Sequence, residues 1–296
     1  MCSSDLGCLP TLLPGGRPVE DPRARVDVAA AWGVEHLPEA EGRSGDAILE
    51  ALSSGELGGL VIAGVDPLDT SNPTAALAAI DAAGFVVALD LRRTEVTDRA
   101  DVVFPVAPTT DKAGTFVNWE GRVRTWEAAL HNPASLPDLR ALAGIADEMG
   151  APLGFRTVDE VRAEMAQLGP WDGERPRLDA STLVPDEGDP TGSGTVRLAT
   201  WKQLLDNGSL QDGDKFLKAT ARTPVALVTP ADFDRYGPTV TLTGDRGSMT
   251  LPAEICDDLV EGVVWVPANS VGNGVLADLA SPGATVTITG AEGVHG

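Results

Sequence analysis

Between Lys112 and Arg124, thirteen residues carry Lys112, Gly114, Thr115, Asn118, Glu120, Gly121, Arg122 and Arg124. Those types suit a cofactor cradle. The two glycines let backbone approach a ligand closely or take positive φ. Asn118 offers both a donor and an acceptor. Arg122 and Arg124 alternate with Val123, so they face one side of an extended segment. Trp119 and Trp126 add apolar mass. Two arrangements fit: a loop turned toward an anion, or a packed, hydrogen-bonded loop at a protein–protein contact. The residues by themselves leave both open.

Elsewhere the chemical inventory is thin. His36, His131 and His295 are scattered, which favours surface or capping roles over ligation. Cys2, Cys8 and Cys256 form no C-x-x-C pair, so neither a zinc ribbon nor an iron–sulfur run is present. Three cysteines in 296 residues suit a reducing cytoplasm. Cys256 follows Ile255 in a strand-like run and reads as a core or half-buried thiol. Ser193 has G-x-S character, but its turn-rich surroundings do not make a nucleophile elbow. Val271-Gly272-Asn273-Gly274 holds G-x-G without the third glycine, and a turn explains it. Asp66, Asp69 and Asp90 read either as solvated caps or as acceptors for a nucleotide base or ribose.

Three short apolar runs position this equipment: Leu57–Pro67, Phe85–Leu91 and Asp101–Ala107. Each reads as a buried strand. Asn72-Pro73 starts a helix between the first two, with Asn at the N-cap and Pro at N1. Asp46 is placed as an N-cap and Gly55 as the residue after the C-cap of an earlier helix. Another helix covers roughly 21–32, and Thr94–Ala100 reads as one or two helical turns. Strand, helix, strand, short helix, strand is the pattern of a parallel, doubly wound sheet. Ligands of such sheets sit beyond the carboxyl ends of the strands, where Asp66, Asp90 and the 101–130 stretch fall.

Two further helices are expected over Leu136–Met149 and Val158–Leu168. Residues 169–223 read as a linker containing a short helix at Leu198–Gly208. From 224 short alternating strands follow, such as Thr239–Gly244 and Ala284–Gly290, broken by turns. That is a small all-β barrel over 224–296. The α/β domain then spans 7–168. Met1–Leu6 reads as the translation of a sequencing adapter, an assembly artefact, and the domain is expected to be truncated at its N-terminus.

The net charge of −22 repels nucleic acid and anionic lipid, and is compatible with a basic or mixed-charge protein neighbour. No apolar run reaches the roughly 18 residues that a bilayer span needs.

The run Ala-Asp-Val-Val-Phe-Pro over 100–105, followed by Asp-Lys-Ala-Gly-Thr-Phe-Val-Asn-Trp-Glu-Gly-Arg over 111–122, resembles a signature of the molybdopterin oxidoreductase superfamily. Its members typically read A-D-V-V-L-P, then E-K-x-G-T-F-x-N-x-E-G-R. Asp111 departs by replacing Glu. Gly64-Val65-Asp66-Pro67 is similar to the superfamily's G-x-N-P turn, with Asp66 in place of Asn. Val87–Asp90 matches the next strand, which ends in an acid.

Within the superfamily, Gly7-Cys8-Leu9-Pro10, Leu13–Pro18 and Ala113–Arg122 are similar to the G-subunit family of proton-pumping NADH–quinone oxidoreductases (respiratory complex I), of actinobacterial type. The likeness implies a partial molybdopterin oxidoreductase-like sheet, followed by a barrel like the dinucleotide-binding domain. It implies the C-terminal, structural portion of the large peripheral-arm subunit, with no redox centre in this chain. Iron–sulfur clusters are expected in a missing N-terminal part. The partners implied are other subunits of the peripheral arm, at the cytoplasmic face of the cell membrane, without membrane insertion. Another implication is the C-terminal half of a molybdopterin enzyme of formate dehydrogenase or nitrate reductase type. Asp66, Asp90, Thr115 and Asn118 would then contact the pterin dinucleotide. A standalone nucleotide-binding module is a third option, which a truncated start disfavours.

Overall fold

The computed structural model describes residues 9–118, 122–174, 194–270 and 279–291. By internal contacts the chain forms two units. The first comprises the chain up to Gly64 and from Ala79 through the last helix before residue 175. The second comprises Val65–Ala78 and the chain from Thr195 onward.

The first unit opens with a two-stranded ribbon, β1 (Leu12–Leu13) and β2 (Arg17–Pro18), and helix α1 (Pro22–Trp32). Asp21 caps α1 by accepting from Arg23 N at 2.8 Å, and Pro22 takes the first helical position. Helix α2 (Gly45–Ser53) is capped by Ser44, whose hydroxyl accepts from Ala47 N at 3.2 Å. Asp46, expected as that cap, sits inside the first turn, where an acid still favours the helix dipole. Gly55 does follow the C-cap Ser54, at φ 78°.

The central sheet is β3 (Leu60–Ala63), β4 (Val86–Asp90) and β5 (Val102–Pro105), in that order and all parallel. Helix α3 (Pro73–Ala82) begins as expected, with Asn72 Oδ1 accepting from Ala75 N at 3.1 Å. Val86 and Ala88 turn to one face and pack with Ile80 and Val96. Leu89, on the other face, packs with Val106 and Ala141. The expected helical turns over 94–100 are a chain of turns. The Thr94 and Thr97 side chains bond each other's backbone there, which competes with a helix.

After β5 comes a feature absent from the sequence reading: a hairpin of β6 (Gly114–Val117) and β7 (Val123–Trp126). Helix α4 (Asp138–Glu148) starts two residues later than expected, because Pro137 biases Leu136 away from helical backbone. Helix α5 (Val158–Leu168) has the expected bounds and a capping box between Thr157 and Glu160. Arg17, 2% exposed, ties this unit together. It donates to Leu168 O at 2.7 Å and Gly169 O at 3.2 Å, at the C-terminus of α5, and faces Asp27 at 3.4 Å.

The second unit is built on a closed six-stranded barrel. Its elements are β8 (Thr195–Lys202), α6 (Lys215–Lys218), β9 (Ala226–Val228), α7 (Pro230–Tyr236), β10 (Thr239–Thr243), β11 (Ser248–Ile255), β12 (Val263–Ala268) and β13 (Thr285–Gly290). Strand order is β10-β11-β9-β12-β8-β13. Alternate residues fill the interior, such as Val240 and Leu242 on β10 or Val286 and Ile288 on β13.

The helix expected over 198–208 is not formed. Val196 and Leu198 point inward from β8 with period two, and β8 runs parallel to β12. A single helical turn, α6, does occur later in the stretch read as linker. Residues 175–193 of that stretch, Ser193 among them, lie outside the described residues, as do Met1–Leu6, Val271–Gly274 and His295.

Candidate functional site

Asp66 follows β3 and caps a single 3-10 turn, Pro67–Asp69, by accepting from Leu68 N at 2.9 Å. Asp69 Oδ2 accepts from Ser209 Oγ at 3.1 Å, a bond within the second unit. Asp90 ends β4. Its Oδ1 accepts from Leu91 N at 2.7 Å and its Oδ2 from Thr94 Oγ1 at 3.1 Å. Both Asp66 and Asp90 therefore hold their own strand-end turns.

Thr115 and Asn118 share the β6–β7 hairpin. Asn118 Oδ1 accepts from Arg122 N at 2.8 Å, and its backbone N donates to Arg122 O at 3.2 Å, next to the Val117–Val123 pair at the turn end of the hairpin. Trp119, Glu120 and Gly121 lie outside the described residues. Thr115 Oγ1 lies 3.4 Å from two nitrogens of Arg162, whose Nη2 donates to Gly114 O at 2.7 Å. The same guanidinium pairs with Asp159 at 3.0 Å.

Gly114 has a specific reason to be glycine. The Trp126 ring lies over it, where any Cβ would collide. Phe116, diagonal to Trp126 across the hairpin, stacks on that ring at 4.2 Å between centroids and 19° between planes. Trp126 Nε1 donates to Lys112 O at 3.0 Å. Lys112 Nζ pairs with Asp138. Thr110 O accepts from Ala129 N at 2.8 Å and Leu130 N at 2.9 Å, so the end of the stretch folds back on its start.

Beside the hairpin is a cleft of about 380 Å³, lined by Asp111, Lys112, His131, Arg140, Arg156 and Asp159 among others. The Thr110 hydroxyl holds the Asp111 carboxyl below the usual carboxylate range, with Ser135 adding to it at 3.0 Å. A carboxyl held ionised in this way does not serve as a general acid near neutral pH. Among the described residues no group of three His, Cys, Asp or Glu side chains is placed to hold a metal ion. No helix among them is long and apolar enough to cross a membrane.

The four residues expected to contact a pterin dinucleotide have local partners, Asp66 and Asp90 in their own strand-end turns. Asn118 Oδ1 is taken by the hairpin's own backbone, and Thr115 faces Arg162. The nearby cations Lys112 and Arg162 already face carboxylates. The sequence reading missed Arg162, Asp138 and the Gly114–Trp126 contact. A glycine set near two aromatics in alternating runs was the available signal for the last.

Residues 23–135 match the molybdopterin oxidoreductase family. Acetylene hydratase from Pelobacter acetylenicus superposes with a TM-score of 0.53 at 14% identity, over 90% of this chain and 49% of that one. The fold is of the molybdopterin oxidoreductase type. The NADH-quinone oxidoreductase G subunit of Mycobacterium bovis is 48% identical over 281 residues, covering 92% of this chain. The protein of the same name from Streptomyces coelicolor is 45% identical over 297 residues, covering 96% of it. The chain spans 34% of the length of each of these curated relatives. Its molybdopterin oxidoreductase-type fold thus comes with close similarity to one actinobacterial subunit.

Proposed function

We propose that this chain is the C-terminal portion of the large peripheral-arm subunit of a proton-pumping NADH–quinone oxidoreductase, and that its role there is structural. The observation that carries the reading is the 48% and 45% identity to the two actinobacterial G subunits, over 92% and 96% of the chain. The described part of the 101–130 stretch supports the structural part, since Asn118 is engaged within the hairpin, Gly114 and Thr115 with Arg162 of α5, and Lys112 with Asp138. Iron–sulfur clusters belong, in this reading, to parts of the subunit outside this chain. The partners are other subunits of the peripheral arm, and the location is the cytoplasmic face of the membrane. In a formate dehydrogenase or nitrate reductase type of enzyme, Asp66, Asp90, Thr115 and Asn118 would have to exchange these local partners for a pterin dinucleotide.

The test is metal and pterin analysis of the full-length protein isolated from membranes in its native assembly. Iron without molybdenum or pterin, in a fraction with NADH–quinone reductase activity, is the expected result. Stoichiometric molybdenum and pterin would overturn the structural role. Separation of the protein from NADH–quinone reductase activity would overturn the assembly.

A further inference from the structure

The two edges of the parallel sheet are finished differently. At the β5 edge the strand ends in Pro105. Just beyond it, Val106 bridges Leu136 in parallel and Ala107 N donates to Leu136 O at 2.8 Å. Prolines and covering chain are common ways of closing an edge strand to further pairing. Nothing comparable is found at the β3 edge among the described residues. Its residues, Leu60-Val61-Ile62-Ala63, are all aliphatic, with neither a proline nor a charge. Val61 is 60% exposed, and Ala63 is exposed as well.

The ladder with β4 fixes which groups this edge offers. Leu60 N donates to Phe85 O at 2.9 Å and Gly64 N to Leu89 O at 3.0 Å, so this set of alternate residues bonds β4. By the alternation of a parallel ladder, Val61 and Ala63 turn their N–H and C=O groups the other way. Among the described residues no strand pairs with that side. An aliphatic edge that no charge or proline blunts is a template for another strand.

We infer that β3 pairs along this edge with a parallel, aliphatic strand from the part of the same polypeptide that precedes this chain. The inference rests on the reading of the chain as the C-terminal portion of a longer subunit. Three observations select that occupant. The sheet order β3-β4-β5 repeats the order of the strands in the chain, so the free edge is the upstream one, and consecutive strands are usually neighbours. The described strands before β3 are taken, since β1 and β2 are two residues each and pair with one another. The chain spans 34% of the length of the curated G subunits, which leaves polypeptide to supply the strand. A strand on the same polypeptide is favoured over a second copy, because tethering holds it at high local concentration. The parallel sense continues that of β3, β4 and β5.

The test uses the full-length protein in its native assembly. Hydrogen exchange of the unsubstituted protein, read by fragmentation that resolves single amides, should show Val61 and Ala63 slowed roughly a hundredfold relative to free amides, as Ile62 is. Benzoylphenylalanine placed at position 61 and irradiated should join one aliphatic segment of the same polypeptide, upstream of residue 7. Free exchange at Val61 and Ala63 beside a protected Ile62 would overturn the inference. So would adducts confined to another subunit, to a second copy or to residues 7–296, or no adduct at all. NADH–quinone reductase activity measured on the same preparation separates this inference from the functional reading. An upstream adduct without that activity keeps the strand pairing and removes the assembly. Activity without the adduct keeps the assembly and removes the strand pairing.

Discussion

The barrel and the parallel sheet solve the same problem with different completeness. In the barrel, fifteen of the described buried residues form one core cluster, and each strand is paired on both sides. In the sheet the buried residues divide into one cluster of four and another of three. Val61 is 60% exposed on edge strand β3, and Val102 and Val103 are exposed on edge strand β5. A closed barrel removes its own edges. A parallel sheet depends on covering both faces and has free edges until something else pairs them. Stability of the described chain should therefore concentrate in the barrel, and the sheet should be the more malleable element.

The largest expected effect tests that contrast directly. Leu242→Ala, at a fully buried barrel position, should cost about 3 kcal/mol. Val61→Ala should stay within about 0.5 kcal/mol. Amide hydrogen exchange of β10 and β3 measures both. Equal losses would break the contrast.

Smaller, and within the first unit, is Gly114→Ala. The new Cβ meets the Trp126 ring, so the hairpin should lose roughly 1–3 kcal/mol. Protection of the β6 and β7 amides reports it. Trp126→Ala in the same background should recover part of the loss if the collision is the cause.

The smallest effect sharpens the local side of the comparison. Thr157→Ala removes the cap of α5 and should cost about 1 kcal/mol, read from exchange in the first turn. Backbone N–H groups of Arg156 and Thr157 hold the Glu160 carboxyl below its ordinary value. A carboxyl lowered on folding contributes stability that is fully present above its unfolded pKa of about 4.3 and lost as pH falls through the lowered folded value. Fraying of α5 should then begin below about pH 4.3. A first turn whose protection is flat through that window would remove Glu160 from the cap.

Elements set by local chemistry were legible. Thr157 and Glu160 mark the start of α5, Asn72-Pro73 marks α3, and the runs of Val, Ile and Leu mark β3, β4 and β5. Failures came where a long-range partner decides. Leu198–Gly208 is rich in helix formers, but pairing with β12 holds Leu198–Lys202 extended. The alternation of Thr195, Val196, Arg197 and Leu198 was the overlooked sign. At the candidate site, the residue types were legible and their commitments were not. Lys112 pairs with Asp138 and Gly114 O with Arg162, across separations of 26 and 48 residues.

The sequence by itself determined the Asn72-Pro73 start of α3, the strand runs of the parallel sheet, the alternating barrel strands from 224 onward and the acidic charge, because each depends on composition or on neighbours a few residues away. Only the tertiary structure decided that Gly114–Val117 and Val123–Trp126 pair as a hairpin, with Lys112, Thr115 and Asn118 engaged by local partners, and that β8 belongs to the barrel. Those outcomes turn on Trp126 covering Gly114, Arg162 reaching Gly114 O and β12 pairing with β8. Each joins residues too far apart in the chain for a local pattern to encode the contact.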